Sequence, residues 1–208
     1  MKTDFLHHYL PGTSGETLFL LHGTGGNEQS LLPLGRALAP SASLLAVRGR
    51  VLEGAMPRFF RRLAEGVFDQ ADLARRTTEL AEFLREAAER YGFPLAGVTA
   101  VGFSNGANIA ASLMLREPGL LRRALLLRAM VPFEPETVPD LSGTAVRIGS
   151  GRYDPIVPVA NAERLAAMLR AGGAAVDLDW RDAGHELAAG EVEDAARWIG
   201  GVLPVAKQ

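Results

Sequence analysis

The chain has 208 residues, no cysteine, 48% hydrophobic and 22% charged residues, a net charge of −2 and a pI near 6.1. That mix fits one globular, water-soluble domain with length enough for a sizeable core. It excludes disulfides, thiolate metal sites and a cysteine nucleophile, and its near-neutral charge leaves no electrostatic footprint for nucleic acid or an anionic membrane.

The first twelve residues, MKTDFLHHYLPG, carry no apolar core and no small-residue cleavage site, so no signal peptide is expected. Residues 5–10 form a candidate edge strand, followed by a turn at Pro11-Gly12-Thr13-Ser14-Gly15. The run TLFLL (17–21) reads as a buried strand, and HGTGGNE (22–28) follows it at once. A short helix over 29–39 is stopped by Pro40, and SLLAV (43–47) is a second buried strand. Residues 48–69 are irregular, aromatic and basic, a length of loop that is usually functional or partly structured. The clearest helix spans 70–91, where Leu73, Thr77, Leu80, Leu84, Ala88 and Tyr91 recur at spacings of 3 and 4 before Gly92 and Pro94.

Strand 98–103, helix 105–116 and strand 123–131 come next, then a proline-rich loop over 132–141. Strand 144–149 leads into SGRYDPIVP, helix 159–171 and strand 174–180. The loop RDAGHEL and a helix over 190–200 complete the pattern. Alternating strands and helices predict a mostly parallel central sheet with helices on both faces, in one domain over 1–208. No apolar run approaches the roughly 18 residues of a membrane span. The expected location is the cytoplasm.

Gly102-Phe103-Ser104-Asn105-Gly106 is G-x-S-x-G set between a predicted buried strand and a predicted helix. In that context the glycines permit a turn too tight for neighbouring side chains, which exposes the serine hydroxyl above the sheet. Without that role the segment would be an ordinary glycine-rich turn. A serine hydroxyl is a weak nucleophile at neutral pH and needs a base held by a carboxylate. His185, in Asp182-Ala183-Gly184-His185-Glu186, is the one histidine after Ser104. Asp154, in the Gly/Pro-rich loop after strand 144–149, is the favoured carboxylate; Glu134 and Glu136 are its best competitors.

An oxyanion formed at the substrate carbonyl needs N–H donors. The residue after the nucleophile, Asn105, supplies one, and the loop at His22-Gly23 places Thr24 as the second. Glu28 stands where a dinucleotide glycine motif needs glycine, and no Walker lysine follows, so a phosphate loop does not fit. His22 reads as a brace for its loop. His7 and His8 show no metal spacing. Met56, Phe59, Phe60, Met130 and Ile156 lie in or beside the loops on the catalytic side, as acyl-pocket lining or as core.

Five segments in this order, LHGTGGNE, RFFRRLAEGVFD, VGFSNGANIA, GRYDPIVP and DAGHEL, resemble the small phospholipase/carboxylesterase family of α/β-hydrolases over about residues 15–200. The resemblance implies an α/β-hydrolase fold without a large cap domain. It implies Ser104, Asp154 and His185 as a triad, which places Asp154 ahead of Glu134, and oxyanion donors at Thr24 and Asn105. It also puts Arg58, Phe59 and Phe60 at the pocket. The related dienelactone hydrolases carry a cysteine nucleophile where this chain has Ser104. Acyl-protein thioesterases carry glutamine after the nucleophile where this chain has Asn105, so it looks closer to the bacterial esterase branch, some of whose members are linked to quinone or aromatic metabolism.

The expected activity is a serine carboxylesterase acting on short- to medium-chain esters through an acyl-enzyme. A thioesterase or lysophospholipase is the enzymatic alternative, and a non-catalytic binding module is the alternative of another class. The expected partner is a small-molecule ester. No cofactor, metal, nucleic acid or membrane span is called for, and a homodimer is left open.

Overall fold

The computed structural model describes residues 5–201. The domain expected over 1–208 therefore includes residues 1–4 and 202–208, which lie outside the described residues. In chain order the elements are β1 (His7–Leu10), β2 (Thr17–Leu21), α1 (Leu32–Leu38) and β3 (Ser43–Val47). Four short strands follow, β4 (Val51–Glu53), β5 (Met56–Arg58), β6 (Arg62–Ala64) and β7 (Val67–Phe68). Then come α2 (Gln70–Tyr91), β8 (Val98–Phe103), α3 (Asn105–Arg116), β9 (Arg123–Leu127), β10 (Ala145–Gly151), α4 (Val159–Ala171), β11 (Ala175–Arg181) and α5 (Glu191–Gly200).

Seven strands make one sheet in the order β1-β3-β2-β8-β9-β10-β11. Only β1 is antiparallel, pairing with β3 at the edge. The inner strands are mostly apolar because helices cover both faces; β2 and β3 are buried at every position. The helices α2, α3 and α4 contribute to one core around Phe19, Phe83 and Ile148, and α1 and α5 to a second around Leu20, Leu44 and Val101. This is the α/β-hydrolase architecture expected from the sequence, and among the described residues no large cap is inserted.

Local chemistry sets the helix ends. Asp69 caps α2 by accepting from the Asp72 N–H at 3.0 Å, and Gly92 ends it in the left-handed region at φ 71°. Two expectations change. Residues 48–69 are not one irregular loop: β4 with β5, and β6 with β7, form two small hairpins that turn at Gly54 and Gly66. The strand expected over 123–131 ends at Leu127, because Arg128 adopts φ 57°. Beyond it the Met130 and Val131 N–H groups donate to the Asn108 and Asn161 side chains, at 2.7 and 2.8 Å, instead of to a neighbouring strand. No helix among the described residues is long and apolar enough to cross a membrane.

Candidate active site

The chain runs outward from β2 to β3 on one side, then crosses back to β8 on the other. Such a reversal opens a crevice at the C-terminal ends of the two strands. Leu21 of β2 pairs with Gly102 of β8, so the loop at Gly23-Thr24 and the turn at Ser104 leave the sheet side by side.

Ser104 sits at φ 51°, ψ −114°, a conformation that a non-glycine residue holds only when its surroundings force it. Its N–H is tied to Leu127 O at 2.8 Å. The flanking glycines are steric requirements. A Cβ on Gly102 would lie 2.6 Å from the Ala107 backbone, and one on Gly106 would lie 2.0 Å from Leu21 O. With both absent, α3 packs close against the end of β2 and the Ser104 hydroxyl faces the crevice.

His185 follows β11 and Asp154 follows β10, each from a strand end on the same side of the sheet. A carboxylate only accepts, so the His185 Nδ1–H donates to Asp154 Oδ2 at 2.7 Å. This leaves Nε2 as an acceptor, and the Ser104 hydroxyl donates to it at 2.9 Å. The other Asp154 oxygen, Oδ1, accepts from the Ile156 and Val157 N–H groups at 2.8 and 3.0 Å. The Asp154 side chain is fully buried. Glu134, its competitor in the sequence, is exposed and paired with Arg164 at 2.5 Å. Glu136 is likewise exposed.

Asn105 is the first residue of α3, where N–H groups have no acceptor within the helix and carry its positive end. On the facing loop, the Gly25 N–H goes to Pro57 O at 2.9 Å and the Gly26 N–H to Gly23 O at 3.0 Å; the Thr24 N–H is not part of that set. His22 holds this loop from beneath. It is 1% exposed, its Nδ1–H donates to Gly23 O at 2.6 Å, and its Nε2 accepts from the Gly49 N–H at 3.0 Å. Burial pushes its pKa below the ordinary imidazole value, with the Gly23 hydrogen bond opposing in part. Both ring nitrogens are thus occupied in the neutral form, as a brace requires.

A cleft of about 320 Å³ opens above Ser104. Met56, Met130 and Ile156 line it, with Thr24, Asn105 and His185 at its base. Phe59 and Phe60 do not line it, which corrects their assignment to the pocket. At 2% and 0% exposure they are core residues, Phe59 packed on the His22 ring and Phe60 edge-on to Phe68. Their neighbour Arg58 does reach the cleft, donating to Thr24 Oγ1 at 2.6 Å, and burial lowers its pKa. Among the described residues, no group of three or more Asp, Glu or His side chains is placed to hold a metal ion.

The sequence reading missed Arg128 and Glu191, at 0% and 2% exposure. Arg128 pairs in two-pronged fashion with Glu191, at 2.7 and 2.8 Å. The available signal was an arginine inside the apolar run RALLLRAM, since a charge there must find a buried partner.

The family model described as phospholipase/carboxylesterase matches residues 13–203. MhqD of Bacillus subtilis (strain 168) is 52% identical over 192 residues, covering 92% of this chain and 96% of that protein. The crystal structure of the Bacillus cereus carboxylesterase superposes with a TM-score of 0.92 at 47% identity, over 94% of this chain and 93% of that one. A carboxylesterase from Mesorhizobium loti gives 0.89 at 37% identity, over 95% of each chain.

Proposed function

The chain belongs to the phospholipase/carboxylesterase family, and from that premise we propose that it is a cofactor-free, single-domain serine carboxylesterase acting on small esters of short to medium acyl length. The observation that carries the reading is the unbroken hydrogen-bonded line from the Ser104 hydroxyl through His185 to buried Asp154, set at the base of the cleft.

In this reading His185 Nε2 takes the Ser104 proton as Oγ attacks the ester carbonyl. Asp154 keeps the proton on Nδ1 and stabilises the imidazolium that forms. The Thr24 and Asn105 N–H groups receive the oxyanion, and donors of this kind are each worth about 10²–10³ in turnover. The imidazolium then protonates the departing alcohol. Water, deprotonated by the same Nε2, releases the acid from Ser104. Met56, Met130 and Ile156 give the cleft an apolar wall for an acyl chain, and its modest volume favours short to medium chains.

The test has two arms. A fluorophosphonate should label Ser104 in the folded protein and leave Ser104→Ala unlabelled. Turnover of p-nitrophenyl esters should be greatest between acetate and octanoate and low for palmitate. Absence of an adduct would remove the enzyme reading in favour of a binding module. Acyl-CoA turned over faster than any of these esters would move the assignment to a thioesterase.

A further inference from the structure

His185 rides on a loop between β11 and α5, and a loop is a poor place to fix an imidazole that must reach two partners at once. The loop is held by its carbonyls. Ala183 O accepts from the Tyr153 N–H at 3.0 Å. Gly184 O, just before His185, accepts from Arg128 Nε at 3.1 Å. Glu186 O, just after it, accepts from Arg128 Nη2. A single guanidinium therefore bonds the backbone on both sides of His185. The same guanidinium is oriented by Glu191, whose Oε2 also accepts from the Ala188 N–H at 2.9 Å.

The surroundings are shaped for this clamp. Gly149 leaves room for the carboxylate, since a Cβ there would lie 2.6 Å from Glu191 Oε1. Gly151 lets the loop lie against β10, since a Cβ there would lie 2.2 Å from Gly184 O. Arg128 itself holds a left-handed backbone at φ 57°, which arginine rarely adopts. A buried ion pair is seldom a net gain in stability over apolar residues of like size. A strained, fully buried arginine spanning His185 is better accounted for by what it orients.

We propose that Arg128, held by Glu191, is the positioning residue of His185, fixing the imidazole between Ser104 and Asp154 by bonding the carbonyls on either side of it. The proposal rests on His185 acting as the general base. Guanidinium geometry is essential to it, because a lysine ammonium is one compact donor centre and cannot bridge both carbonyls while pairing with two carboxylate oxygens.

The experiment compares wild type with Arg128→Lys, which keeps the charge opposite Glu191, and with the double variant Arg128→Met/Glu191→Met, which removes both buried charges together. Misplacing a catalytic group by about 1 Å costs on the order of 10²-fold in rate. Both variants should fold, with kcat for p-nitrophenyl butyrate down about 10²-fold at nearly unchanged KM. The low-field proton resonance of the His185 Nδ1–H, identified by its loss in His185→Ala, should shift or broaden in both. A folded double variant with kcat within about twofold of wild type and the resonance in place would overturn the proposal, leaving the pair a staple between β9 and α5. If wild type neither turns over esters nor labels at Ser104, the proposed function falls. The resonance still decides the clamp, because it reports the hydrogen bond to Asp154 and not the reaction.

Discussion

Replacing Asp154 by asparagine tests the site most sharply, because the structure fixes how the new amide must lie. Two backbone N–H groups, from Ile156 and Val157, point at Oδ1 from 2.8 and 3.0 Å. Only the carbonyl oxygen of an asparagine can face them. The amide nitrogen is then forced into the place of Oδ2, 2.7 Å from His185 Nδ1. It is a donor, so it can meet only an unprotonated Nδ1, and the imidazole proton moves to Nε2. An Nε2 that carries a proton cannot take one from Ser104. The variant should keep its shape and lose the base that the proposed mechanism requires.

A tautomer trapped in this way lowers turnover on the order of 10⁴-fold, or about 5.4 kcal/mol of transition-state stabilisation. The assay is kcat/KM for p-nitrophenyl butyrate on Asp154→Asn, with Glu134→Gln beside it and circular dichroism to confirm folding. Glu134 is exposed and bound to Arg164, so its variant should stay within about twofold of wild type. Asp154→Asn retaining turnover within about tenfold of wild type would refute the reasoning, and a comparable fall in Glu134→Gln would move the carboxylate role.

Three further substitutions probe other parts of the site. Gly106→Ala puts a Cβ 2.0 Å from Leu21 O and 2.6 Å from His22 O, so the end of β2 must move by about 1 Å or more; turnover should fall more than about 10²-fold with a lower Tm, and a wild-type Tm would contradict the close packing. Burial lowers the folded-state pKa of His22, so the unfolded chain binds a proton first as pH falls. Its contribution is complete above the ordinary imidazole value of about 6.5 and is lost on acidification below it. The stability difference between wild type and His22→Gln, from urea melts, should therefore shrink from about pH 8 to about pH 5.5, and a constant difference would count against a buried neutral imidazole. Met130→Ala removes a wall of the cleft, so the preferred p-nitrophenyl ester should lengthen by one or more acyl steps; an unchanged profile would place the acyl chain elsewhere.

The strand, turn and helix around Ser104 were legible because much of their cause is local. Gly102 and Gly106 flank Ser104 within one strand, one turn and one helix, and the Gly102 clash with Ala107 lies inside that window, although the Gly106 clash is with Leu21 and His22 at the end of β2. Asp154 and His185 were brought together by a different route: each follows a strand, and parallel strands carry such residues to one end of the sheet. The hairpins of residues 51–68 escaped notice because their strands are two or three residues long, too short for an alternation to register. Phe59 and Phe60 misled for a related reason. Sequence proximity to a loop does not say which way a side chain points, and these two turn inward, Phe59 onto the His22 ring and Phe60 onto Phe68. Arg128 escaped because its meaning depends on Glu191, 63 residues away on another element.

These cases divide the site into two kinds of support. Ser104 is placed by strain at its turn, enforced by backbone contacts of Gly102 with Ala107 and of Gly106 with the end of β2 that tolerate no Cβ. His185 has a weaker local constraint: within RDAGHEL the Gly184 N–H donates to Glu186 Oε1 at 3.1 Å. The rest of the loop's hold comes from outside, through Tyr153 after β10 and Arg128 after β9. Ser104 and His185 therefore depend on different physics: one on excluded volume where backbones approach closely, the other largely on hydrogen bonds from distant parts of the chain. A motif can carry the first kind intact from one sequence to another. The second must be rebuilt from whatever residues the neighbouring strands supply, and in this chain they supply a buried arginine.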